Sequence, residues 1–149
     1  MNSTDEIEIL LVEDSQEDLD MTLYALRKAN LANRIQVARD GAEALEFIFG
    51  EGPHAGRRIE NGPKVILLDL KLPKIDGLEV LKILKNDKAH KSIPIVIMTS
   101  SREDKDLIEG YRLGVNSYVV KPVEFESFAK AVVDLGLYWM LLNEIPHKK

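Results

Sequence analysis

A single α/β domain built on a doubly wound parallel sheet is the architecture this sequence predicts, and three observations predict it. Short apolar runs alternate with amphipathic helical stretches along the 149 residues. The central run, Val65 to Leu68, is unbroken, too short for a helix and carries β-branched Val65 and Ile66, as a strand buried on both faces does. Carboxylates, a hydroxyl and an amine fall just past those runs, where open α/β sheets place their chemistry.

Taken in order, Ile7 to Val12 forms the first strand, interrupted only by Glu8 and ending in Glu13-Asp14-Ser15. Ser15 or Asp14 caps a helix from about Gln16 to Ala29, whose apolar face is Leu19, Leu23 and Leu26 with Thr22 and Met21 beside it. Ile35, Val37 and Ala38 make a short second strand, and Asp40-Gly41 turns into a helix carrying Ala44, Leu45, Ile48 and Phe49. Gly50 to Pro63 has no apolar period and reads as a solvent loop, long for such a connection. Its pair Arg57-Arg58 invites a phosphate-binding reading, but the glycines around it form no phosphate-cradling pattern. The third strand ends at Asp69. Pro73, Asp76 and Gly77 then turn the chain into a third helix marked by Leu78, Val80, Leu81 and Leu84 and ending near Asn86. Ile93 to Met98 is the fourth strand, entered through Pro94 and closing on Thr99-Ser100-Ser101. A fourth helix from about Asp104 to Leu113 stops at Gly114, a C′ glycine. Ser117 to Val120 is the fifth strand, followed by Lys121-Pro122, and a last helix runs from near Glu124 almost to the C-terminus.

Helical crossovers between consecutive strands are right-handed, which leaves few arrangements. The flavodoxin-like (βα)5 order 2-1-3-4-5 is the one expected, with its switch point beside strands 1 and 3. Residues 1–6 are expected to be a disordered tail and 136–149 a C-terminal extension of the one domain.

Bulk properties narrow the function. A net charge of −5 gives no electrostatic reason to bind nucleic acid or an anionic membrane. Without cysteine there is no disulfide, thiolate metal site or thiol nucleophile, which fits a cytoplasmic location. The polar start, Met1 to Glu6, has no signal-peptide apolar core, and no apolar stretch is long enough to span a bilayer.

The predicted sheet brings Glu13, Asp14, Asp69, Thr99 and Lys121 to one rim. Asp69 alone could simply cap its loop. Three carboxylates together, however, repel: two charges ~4 Å apart cost roughly 4 kcal/mol at an effective dielectric near 20. One lysine does not neutralise three acids, whereas a divalent cation does, and an all-oxygen ligand set selects magnesium or another hard ion. An exposed aspartate beside such a cation and an ammonium is placed to attack phosphorus, with the positive groups offsetting charge on the equatorial oxygens. The product, an aspartyl phosphate, brings on the order of two negative charges, and Thr99 can turn to hydrogen-bond it.

With the motifs L-L-V-E-D-S, D-L-K-L-P-K-I-D-G, P-I-V-I-M-T-S and Y-V-V-K-P in this order, the chain resembles a response-regulator receiver domain of two-component signalling from about Ile7 to Leu135. The resemblance implies that Asp69 is the phosphoacceptor and receives its phosphoryl group from a histidine kinase. It implies that Asp14 and Asp69 bind Mg2+ directly, Glu13 through water and Lys71 by its backbone carbonyl. Thr99 would sense the phosphoryl group, Lys121 would pair with it, Tyr118 would be the rotating switch aromatic, and Lys121-Pro122 would be a cis peptide. Lys71 and Ser101 depart from the commonest pattern at positions that flank the hydrolytic water. Lys71 either holds the phosphate and changes its lifetime or is a solvated surface lysine.

The C-terminal stretch carries more apolar surface than one sheet face can cover. Phe128, Val132, Leu135, Trp139 and Leu142 form one stripe, and Leu137, Tyr138, Leu141 and Ile145 form an offset second one. Gly136 between them costs helix stability, ~1 kcal/mol relative to alanine. A homodimer through Leu137, Tyr138, Trp139, Leu141, Leu142 and Ile145 is expected, against a monomer with its tail folded back. This extension and the long loop before the third strand also resemble small receivers that pair with bacterial phytochrome-type kinases.

The expected function is therefore a stand-alone phosphorylated switch that acts through protein contacts, with a phosphorelay intermediate or phosphate sink as the alternative. No DNA-binding domain is expected after the receiver. Phosphatases of the haloacid-dehalogenase type also use a strand-end aspartate, but need a second aspartate where Lys71 stands. A flavin carrier would need hydroxyls and amides where Glu13-Asp14 stands. The chain is expected not to be an enzyme beyond accepting and losing its own phosphoryl group.

Overall fold

The computed structural model describes residues 7–29, 34–57, 63–99, 112, 114–115, 117–121, 126–127 and 130. Its elements are β1 (Ile9–Val12), α1 (Gln16–Ala29), β2 (Ile35–Ala38), α2 (Gly41–Phe49), β3 (Val65–Asp69), α3 (Gly77–Lys85), β4 (Ile95–Thr99) and β5 (Ser117–Val120). All the strand pairs are parallel, and the order is β2-β1-β3-β4-β5, as the crossover argument predicts. The fourth helix (apart from Arg112), the greater part of the last helix and the extension lie outside the described residues.

Because side chains alternate across a strand, each inner strand feeds two cores. Ile9, Leu11, Val65, Leu67, Val96, Met98 and Val119 face Leu19, Ala25 and Leu26 of α1. Leu10, Val12, Ile66, Leu68, Ile95 and Ile97 face Ala44, Phe47 and Ile48 of α2 and Val80, Leu81 and Leu84 of α3. Every residue of β1 and β3 is buried, which is why those strands read as unbroken apolar runs rather than alternating ones.

Several boundaries differ from the sequence reading. The first strand starts at Ile9, not Ile7, and Glu8 stands at its edge. Its carbonyl accepts from Lys64 and Val65 N–H, and its carboxylate accepts from Arg34 N–H at 3.4 Å. β3 ends at Asp69 as expected, whereas β4 starts after Pro94, which has no N–H for the ladder, and runs to Thr99. Ser15, rather than Asp14, caps α1: its Oγ accepts from Asp18 N–H at 3.3 Å. Met21 is 44% exposed and so does not extend the buried face of α1.

The loop from Gly50 to Pro63 is more than a solvated connection. It contains a short 3-10 turn at Gly52–His54, after which Arg57 folds back on α2. Arg57 Nε donates to Phe47 O at 2.9 Å and Nη2 to Ile48 O at 3.3 Å, while the guanidinium lies 4.0 Å from the centroid of the Phe47 ring. The cation thus caps the negative end of α2, whose last carbonyls have no helical partners. Gly114 has φ of 100°, a backbone that glycine adopts readily and that agrees with its expected place after a helix.

Candidate functional site

The site forms where β1 and β3 stop. A carboxylate follows β1 and another ends β3, and the helices after them leave the sheet on different sides, opening a crevice at the switch point. Glu13 follows β1, held there by its N–H donating to Ala38 O at 2.9 Å, and is fully buried. Asp14, next along, is exposed. Arg39, just past β2, fixes that turn: Nη2 donates to Asp14 O at 2.9 Å and Nη1 to Gln16 Oε1 at 3.1 Å.

Asp69 closes β3 and is 5% exposed. Its Oδ1 accepts from Lys71 N–H at 3.2 Å and its Oδ2 from Lys121 Nζ at 2.9 Å. The turn after it is clamped by two glycines. Gly77 N–H donates to Leu70 O at 2.9 Å, and a Cβ there would overlap the Asp69 carbonyl; a Cβ on Gly41 would overlap the Ile75 carbonyl. Lys74 takes φ of 67°, unusual for a residue with a side chain, and its ammonium sits 3.4 Å from Asp40 Oδ2.

Lys121 follows β5 and reaches across the rim. Its Nζ lies 2.8 Å from Glu13 Oε1, 2.9 Å from Asp69 Oδ2 and 3.1 Å from Asp18 Oδ2. Carboxylate oxygens of Glu13, Asp14 and Asp69 all fall within 4.8 Å of one another. Four of the expected site residues therefore meet, together with the main chain of Lys71. Thr99 ends β4 with its backbone in register with Val120, next to Lys121, and its side chain is outside the described residues. Tyr118 lies on β5 in register with Ile97 and is 39% exposed, directed away from the α1 side where Val119 is buried. Pro122, Ser101 and the predicted dimer residues Leu137, Tyr138, Trp139, Leu141, Leu142 and Ile145 fall outside the described residues. Asp18 was not expected in the site. An acid in the first turn of a helix reads from sequence as a partner for the helix dipole, and nothing local signals a lysine 103 positions away.

The electrostatics follow from burial. Desolvation raises the Glu13 carboxyl to about 7, opposed by the Lys121 ammonium and the Ser15 N–H and reinforced by the Asp69 charge. Burial alone would lower Lys121, but its contacts with Glu13, Asp69 and Asp18 outweigh that and hold it above the usual lysine range. Glu13 Oε2 accepts from Ser15 N–H at 3.2 Å. Glu13 Oε1 is buried and close to Lys121 yet has no well-aligned donor. A buried carboxylate oxygen left in that state, beside two more carboxylates, fits a hard divalent cation.

Residues 9–133 match the response regulator receiver domain family. The chain is 37% identical over 147 residues to the protein described as "Probable methanogenesis regulatory protein FilR2" of Methanothrix harundinacea (strain 6Ac), covering 98% of this chain and 92% of that one. It is 36% identical over 140 residues to "Response regulator Rcp1" of Synechocystis sp., covering 93% and 92% of the two chains. The Mn(2+)-bound crystal structure of Rcp1 superposes with a TM-score of 0.74 over 95% of this chain and 99% of that one, at 34% identity. The bacteriophytochrome response regulator AtBRR superposes with a TM-score of 0.82 at 55% identity, over 93% of this chain and 99% of that one. An acidic crevice at the switch point of a 2-1-3-4-5 sheet, closed by a lysine after β5, thus occurs in a chain that belongs to the response regulator receiver domain family.

Proposed function

We propose that this protein is a response regulator that accepts a phosphoryl group on Asp69 from a histidine kinase, in a Mg2+-dependent reaction, and signals through protein contacts. The observation that carries this reading is the meeting of Asp69 Oδ2 with Lys121 Nζ at 2.9 Å beside the Glu13 and Asp14 carboxylates. In the transfer, an Asp69 carboxylate oxygen forms the new bond to phosphorus. The bond from phosphorus to the kinase imidazole breaks, and its electron pair leaves with that nitrogen. Lys121 holds positive charge against the transferring oxygens, and the Lys71 N–H fixes the rotation of the Asp69 carboxylate. Glu13, Asp14, Asp69 and the Lys71 carbonyl are the groups that would hold Mg2+, which supplies charge neutralisation for the phosphoryl oxygens when bound. Thr99 would sense the product and Tyr118 would relay it. Lys71, exposed at the mouth of the site, would hold the phosphate and change its lifetime.

The likeness to the bacteriophytochrome response regulator AtBRR supports a phytochrome-type kinase as the phosphodonor. The apolar residues from Leu137 to Ile145 support a homodimer, to be tested by solution size with Trp139 and Leu142 replaced by charged residues. The primary test is incubation with acetyl phosphate and Mg2+ followed by intact mass. One added phosphoryl group, absent in Asp69→Asn and without Mg2+, is the expected result; an unmodified wild-type chain would overturn the reading.

A further inference from the structure

The ammonium of Lys121 has three N–H donors and no acceptor. In this structure it is surrounded by three carboxylates: it donates to Asp18 at 3.1 Å and Asp69 at 2.9 Å, and its third contact is Glu13 at 2.8 Å. Two of its N–H groups are engaged and the Glu13 oxygen, though not aligned for a hydrogen bond, crowds the third, so a phosphoryl oxygen that pairs with the ammonium takes the place of one of these acids. One of the three acids must give way if Lys121 is to pair with phosphorylated Asp69, and burial ranks them. The Glu13 side chain is 0% exposed, that of Asp69 8% and that of Asp18 34%. Glu13 has no exposed surface through which to leave Lys121 for water. Asp69 is the acceptor itself. Asp18 alone returns to water on release, at the small cost typical of a partly exposed ion pair.

We propose that Asp18 is the exchangeable partner of Lys121, a positioning residue that holds in the unphosphorylated protein the ammonium N–H that a phosphoryl oxygen on Asp69 takes over. This rests on Asp69 being the phosphoacceptor. The carboxylate acts twice in the same direction: it competes for the donor, and its charge opposes an incoming anion. It loses no proton and forms no bond. Asp18 lies in the first turn of α1, and Ser15 joins the two ends of this contact, its Oγ accepting from Asp18 N–H and its own N–H donating to Glu13 Oε2.

The test uses the full chain with Asp18→Asn, which removes the charge and keeps the shape, and Asp18→Ala, which removes the competing acceptor as well. With acetyl phosphate and Mg2+, both variants should phosphorylate about two- to fivefold faster than wild type, the range a partly exposed charge commands. Their thermal midpoints should stay near that of wild type. A residue that merely braced Lys121 would slow the reaction when removed, so rates equal to or below wild type overturn the proposal. An independent readout needs no phosphodonor: the Lys121 ammonium nitrogen signal in the NMR spectrum should shift and its protons exchange faster in Asp18→Ala. An unchanged signal also overturns it. If wild type and both variants stay unmodified, the phosphoacceptor reading fails and takes this proposal with it, whereas modified chains with unaltered rates reject Asp18 alone.

Discussion

Gly77→Ala tests whether the site depends on how closely α3 approaches the end of β3. Gly77 is the first residue of α3, where alanine is the better helix former by ~1 kcal/mol. Its φ is not positive, so backbone conformation does not require glycine there. Judged by propensity alone, the substitution would stabilise the protein. The added Cβ, however, would overlap the Asp69 carbonyl oxygen and crowd Leu70 Cα, both main-chain atoms of the strand end that cannot rotate away. Overpacking of this kind costs about 1–3 kcal/mol, and the Gly77 N–H to Leu70 O bond at 2.9 Å is stretched with it. Set against the propensity gain, the expected net result in urea unfolding is destabilisation by up to about 2 kcal/mol. The residue pushed aside is Asp69, so its carboxylate loses its registry with Lys121, and phosphorylation by acetyl phosphate should slow by up to about 100-fold. A Gly77→Ala protein that is as stable as wild type and phosphorylates at the same rate would refute the claim that this contact positions Asp69.

Other perturbations probe the charges and the loop. Glu13 has its carboxyl raised from 4.5 to about 7 by burial, so between those values the folded chain holds a proton that the unfolded chain has lost. Stability without divalent ions should therefore fall as pH rises through that window, by about 1–3 kcal/mol, and Glu13→Gln should flatten the slope. A wild-type slope equal to that of the variant would contradict the assignment. Arg57→Ala should destabilise by about 1–2 kcal/mol through loss of the α2 carbonyl cap and the stacking on Phe47, with Arg57→Lys recovering only part because it lacks the planar fork. Urea unfolding with no change in either variant would restore the view of that loop as merely solvated.

What the sequence made legible follows the physics of burial. Val65 to Leu68 stood out because a strand covered on both faces has no polar positions, and Asp69 stood out by ending it. The sheet order followed from crossover handedness, and the meeting of Glu13, Asp14, Asp69 and Lys121 followed from the sheet order. The misplaced features depend on main-chain atoms or on distant parts of the chain. Glu8 looked like an interior strand residue, but its carbonyl is shared by Lys64 and Val65. Arg57 meets carbonyls of α2, which no side-chain pattern reveals. Asp18 reaches Lys121 only because β5 and the start of α1 open on the same rim.

The central claim is that acids from separate strand ends share one bound cation. Calorimetric titration of Mg2+ into the chain at neutral pH, without phosphodonor, tests it most directly. One binding site is predicted, lost in Asp69→Asn and in Asp14→Asn, the latter an exposed residue whose replacement leaves the core untouched. Absence of binding to the wild-type chain, or binding that survives both substitutions, would contradict the account.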